Sequence, residues 1–73
     1  MDTDEKLIYM ANQIASFFAA QGEARAVPAI ADHVKRFWDP EMRRRFLVLA
    51  ETPGTELTPL TRKAVDLLKV NAD

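Results

Sequence analysis

Apolar residues recur along this chain at the three- and four-residue spacing of an amphipathic helix, and no segment alternates with the two-residue period of a strand. Turning about 100° per residue from Leu7, the side chains of Phe17, Met10, Ile14, Leu7, Phe18, Ala11, Ala15 and Ile8 cover about half of one helix's circumference. Asn12, Gln13, Ser16 and Tyr9 occupy the rest. An apolar arc this wide suits a helix packed against two or more neighbours. Asp2 with Glu5 reads as a capping box at its start, and Gly22 as its C-terminal stop.

A second helix is expected to begin between Glu23 and Val27, with Pro28 inside its first turn, and to carry Ala26, Ile30, His33, Val34 and Phe37 along one side. Pro40 closes it, because the residue before a proline is pushed away from helical dihedrals. Asp39 then caps a third helix whose inner face is Met42, Phe46, Leu49 and Ala50. Thr52-Pro53-Gly54-Thr55 is a turn by composition, and Thr58-Pro59 repeats the cap-plus-proline device before a fourth helix with Leu60, Ala64, Leu67 and Leu68 facing inward. The pattern predicts an all-α protein, a compact bundle of about four short helices forming a single domain over residues 1–73. Its densest feature is the junction of the second and third helices, where Phe37 and Trp38 supply the largest apolar area in the chain just where it must turn. His33, Phe37, Trp38, Asp39 and Pro40 are expected to form a structural corner.

A domain of 73 residues buries only about 60% of the surface its unfolded chain exposes. Small folds of this kind usually lean on a disulfide, a metal or a partner. The chain has no cysteine, which excludes disulfides, thiolate metal sites and cysteine-ligated iron–sulfur clusters, and it has a single histidine. No catalytic, cofactor-binding or metal-binding residue is assigned, and support from a partner, self-association included, becomes the favoured option. The net charge of -1 gives none of the basic footprint of a nucleic-acid binder. The N-terminus is acidic where a secretory signal would be basic, and no apolar run approaches the ~20 residues of a membrane span, so the cytoplasm is the default compartment.

Candidate functional residues are few. His33 sits at the edge of an apolar stripe without a nucleophile or ligand set beside it in sequence, and reads as a structural histidine bonded to a nearby polar group or to the backbone. Arg43, Arg44 and Arg45 look like an anion site, but consecutive helical residues point about 100° apart, so the three fan out. Asp39 with Arg43, and Asp32 with Arg36, have the spacing of ion pairs within a helix. Leu47 and Val48 point away from the third helix's inner face, and Arg44 and Val48 share an outer ridge that suits an interface rim. Asn12, Gln13 and Ser16 offer polar groups that could bond across the same kind of boundary. Asn12, Gln13, Ser16, Arg44 and Val48 are therefore the expected partner-contact residues.

Lys6-Leu7-Ile8-Tyr9-Met10-Ala11-Asn12-Gln13-Ile14-Ala15-Ser16-Phe17-Phe18, followed by Ile30 through Arg43, resembles the small delta subunit of soluble NAD-dependent formate dehydrogenases. Leu57 through Val65 is similar to that family's C-terminal helix. The most specific stretches are Met10 to Ile14 and His33 to Met42, and the departure is Glu41, where the family's Trp-acid-Pro-Arg-Met segment has arginine. The resemblance implies a non-catalytic accessory subunit of a cytoplasmic bacterial enzyme that oxidises formate and reduces NAD. It also implies that the molybdenum or tungsten pterin, the iron–sulfur clusters and the flavin reside in larger subunits, its partners. Its role would lie in assembly, cofactor maturation or stability of the complex. Two other classes stay open: a helical DNA-binding regulator using the basic segment Arg43 to Arg45, and a small enzyme built around a pocket at His33.

Overall fold

Three helices begin on a side-chain oxygen that accepts a backbone N–H from the first turn, where no carbonyl within the helix can serve. Asp2 Oδ1 accepts from the Glu5 amide at 2.8 Å, Asp39 Oδ1 from Met42 at 2.9 Å, and Thr58 Oγ1 from Thr61 at 3.3 Å. The structure is a computed structural model that describes residues 2–70; residue 1 and residues 71–73 of the expected domain lie outside it. It contains α1 (Thr3–Phe18), a single 3-10 turn (Ala19–Gln21), α2 (Glu23–Phe37), α3 (Pro40–Ala50) and α4 (Pro59–Val70). The protein is an all-α bundle of four helices, as the hydrophobic pattern predicts.

Gly22 ends the 3-10 turn at φ +87°, a backbone region that costs glycine little, and its carbonyl accepts from the Ala26 amide at 2.8 Å to start α2 at once. Pro28 therefore falls at the sixth residue of α2, past the first turn where it was expected. Pro28 has no N–H to give to the Ala24 carbonyl four residues back. Ala24 and Pro28 are both exposed, so the carbonyl that loses its partner lies on the solvent side and the helix runs through.

α2 packs most extensively on α4, its neighbour in space but not in sequence, while α1 lies against α2 and α3. Leu7, Ala11, Ala31, Val34, Trp38, Phe46, Ala50, Val65 and Leu68 form the larger buried cluster. A smaller one, Ala15, Ala26, Ile30 and Ala64, joins α1, α2 and α4, its three alanines letting the helices approach closely around Ile30. The radius of gyration is 11.1 Å, matching the ~11 Å expected of a compact chain of this length. Thr61 is buried as well, with its hydroxyl 2.7 Å from that of Thr58, so its polar atom is satisfied. The turn at Thr52 to Thr55 is present, with Gly54 at φ +90°.

The corner differs from expectation in its aromatic pair. Trp38 is 5% exposed and packs edge-on against Phe46 at 5.4 Å between ring centroids, whereas Phe37 is 72% exposed. α2 ends at Phe37, and Trp38 adopts extended dihedrals (φ -93°, ψ 135°). That change of backbone turns the indole inward, and Phe37 is left on the last turn of the helix, facing solvent. His33 also departs from its reading. Among the described residues its ring has no hydrogen-bond partner and lies instead between the rings of Phe18 (6.1 Å) and Phe37 (4.8 Å).

Candidate partner interface

Asn12 spends its amide inside the chain. Its Nδ2 donates to the Glu56 carbonyl at 3.0 Å, and its Oδ1 accepts from the Thr58 amide at 3.1 Å. A side chain on α1 thereby clamps both backbone faces of the segment leading into α4, a role that no local pattern announces because the partners lie more than forty residues away. Gln13 and Ser16 remain exposed on the outer side of α1.

The three arginines fan out as expected, each to a different task. Arg43 donates to the carbonyls of Lys35 (2.8 Å) and Trp38 (3.0 Å) and so closes the open end of α2. The expected pair with Asp39 does not form, because that carboxylate is occupied capping α3. Arg44 pairs with Glu41 at 2.6 Å on the surface, and Arg45 makes two bonds to Asp4, at 2.9 and 2.6 Å, that tie α3 to the start of α1. Arg62 closes α3 in the same manner as Arg43 closes α2, donating to the Ala50 carbonyl at 2.7 Å. Asp32 and Arg36 pair at 3.0 Å as predicted.

Arg44 and Val48 line a shallow, mostly apolar groove with Leu47, Glu51 and Lys69. Its walls come from α3 and α4, and a Lys69–Glu51 ion pair links those walls; α1, with Gln13 and Ser16, contributes nothing to it. The expected contact residues thus fall on separate faces. A third surface, absent from the sequence reading, runs along the seam of α1 and α2. Phe17 is 77% exposed and Met10 40%, although both belong to the apolar arc predicted to face inward. They mark the edge of that arc, and the small neighbouring helices do not reach far enough around α1 to cover it. Among the described residues no three of His, Asp and Glu gather as a metal site requires. No described helix is long and apolar enough to cross a membrane.

Charge is used mainly to brace the helices. The Arg45 hydrogen bonds hold the Asp4 carboxyl below the usual carboxylate range and push the Arg45 guanidinium up, and the Lys69 hydrogen bond lowers Glu51 in the same way. A carboxylate lowered in the folded chain adds stability above its ordinary titration range and loses it as the pH falls through that range and below. The melting temperature is accordingly expected to fall on acidification more steeply for the native chain than for Asp4→Asn, measured by circular dichroism across the acidic range. Both bridges are solvent-exposed, so the difference is small and shrinks with added salt.

Comparison with known proteins places this helical chain. The family described as NADH-dependant formate dehydrogenase delta subunit FdsD matches residues 6–65, and the chain belongs to that family. Searches of the curated proteins and of the solved structures gave no match.

Proposed function

We propose that this chain is a non-catalytic accessory subunit of a cytoplasmic, bacterial NAD-dependent formate dehydrogenase, bound to the larger subunits that carry the redox groups and supporting their assembly, cofactor maturation or stability. The family match across residues 6–65 carries the reading. The way the chain uses its polar groups supports it. Asp2, Asp39 and Thr58 cap helices, Arg43 and Arg62 close them, and Asp4, Glu51 and Asn12 hold elements together, all of which are tasks of construction. The net charge of -1 weighs against the alternative, a helical DNA-binding regulator using Arg43 to Arg45. The α3–α4 groove of Arg44, Leu47 and Val48 is one contact surface in this reading, with Gln13 and Ser16 belonging to another.

The test is to express the larger formate dehydrogenase subunits with and without this chain and to compare complex recovery, bound molybdenum or tungsten, and formate-dependent NAD reduction. The chain is expected to co-purify and to raise at least one of the three. Equal values on all three, with no co-purification, remove the proposal.

A further inference from the structure

We propose that the groove between α1, the end of α3 and the loop entering α4 grips a larger formate dehydrogenase subunit, and that its occupant is a basic segment of that subunit bringing one arginine or lysine to each of Glu5 and Glu56. The inference rests on the accessory-subunit reading. The groove has a volume of about 490 Å³ and is open to solvent. Ile8 from α1 and Leu49 from α3, both half-buried, give it an apolar lining, and Tyr9, 52% exposed, adds an aromatic ring. So open a cleft leaves much of a small molecule in water, but it suits the apolar stem of a basic side chain whose charged head stays at the rim.

The two carboxylates at the rim are placed by the fold and left unanswered by it. Glu5, Tyr9 and Asn12 follow the i, i+4, i+7 spacing of one ridge of α1, and the Asn12 amide holds the Glu56 carbonyl at 3.0 Å, so the Glu56 backbone stands about 10 Å along that ridge from Glu5. The capping box of Asp2 and Glu5 is half made: Asp2 accepts the Glu5 amide, and among the described residues the Glu5 carboxylate has no partner. Every other described carboxylate caps a helix or pairs with a cation except Glu56 and Asp66, and Asp66 lies elsewhere, on α4. The chain's own cations do not serve the rim. Arg45 is taken up by Asp4, the third carboxylate of the lining, through bonds of 2.9 and 2.6 Å, and Lys6 stands one turn after Asp2, turned about 100° from Glu5. Arg25 and Lys35 are on α2, which does not line the groove. The rim therefore stays negative once its internal pair is made. A second copy placed symmetrically would set these acids against each other, and nucleic acid or anionic lipid would be repelled. Arginine fits best, because its planar head pairs with a carboxylate and stacks on a tyrosine ring.

The test places a photo-crosslinking phenylalanine analogue at position 9, 17 or 48 of the full chain, co-expressed with the larger subunits, and compares the double variant Glu5→Gln, Glu56→Gln with Asp66→Asn. Position 9 is expected to crosslink to a segment of a larger subunit that carries Arg or Lys. The double variant is expected to keep its helical melting curve yet fall about tenfold in recovery with the complex at low salt, the loss shrinking as salt rises. Asp66→Asn, which removes a carboxylate away from the groove, should be recovered like the native chain. Equal recovery of the double variant and Asp66→Asn overturns the basic occupant, as do crosslinks from position 9 to a second copy. Crosslinks from 17 or 48 with none from 9 overturn this face and leave the accessory reading standing. Failure of the unmodified chain to co-purify overturns both readings together.

Discussion

Trp38→Ala is expected to unfold most of the isolated chain, while Phe37→Ala, one position earlier, leaves its melting curve nearly unchanged. The indole is 5% exposed, stands edge-on to Phe46, and belongs to the larger core cluster with residues of all four helices. Truncating a buried aromatic costs about 3–5 kcal/mol through lost transfer energy and the void left behind. A core in a domain of this size supplies about the same amount in total, so nothing remains to hold the fold. Phe37 is largely in water already, and exposed substitutions usually fall within about 0.5 kcal/mol. Thermal melts followed by circular dichroism at 222 nm, about the usual helical minimum, decide the matter. Equal loss in the two variants would mean that the corner depends on both rings.

Ala26→Leu is the second large effect expected, and it works by the opposite mechanism. Ala26 has no exposed surface and meets Ala15, Ile30 and Ala64 where α1, α2 and α4 converge. Three more heavy atoms at that point cannot fit without driving a helix outward, and overpacking of this kind costs about 1–3 kcal/mol. Ala29→Leu, one turn away on a half-buried position, serves as the comparison for a change in helix propensity alone. Urea denaturation should place the midpoint of Ala26→Leu well below that of Ala29→Leu. Coincident midpoints would show that the seam yields to larger side chains.

The parts of this fold legible in the sequence are those decided within a few residues. Asp2, Asp39 and Thr58 bond to amides three positions on, and the buried faces of Leu7, Ala11 and Ala15, or Phe46 and Ala50, follow directly from helical spacing. Trp38 was legible as part of the corner, but which of the adjacent rings turns inward was not, for a physical reason. Periodicity assigns a direction only while the backbone is helical, and the helix ends one residue before it. Ala31, Thr61 and Val65 are buried beyond the predicted stripes because α2 and α4 press together broadly, a pairing between non-consecutive helices that spacing does not disclose. Of the expected contact residues, Asn12 was read by its polarity as facing outward, and its true partners at Glu56 and Thr58 become visible only once the chain has folded back. The exposed pair Phe17 and Phe37 escaped for the complementary reason, since apolar residues at a helical spacing look like core until the neighbours that should cover them fall short.

The position of α4 has a consequence for timing. Ala64 completes the smaller buried cluster and Val65 and Leu68 the larger, so α4, made after the three helices it covers, is the lid of both. While the ribosome is still making it, α2 shows the bare side of Ala26 and Ile30, and the segment that Asn12 must clamp has only begun to emerge. The first three helices therefore cannot settle ahead of the fourth.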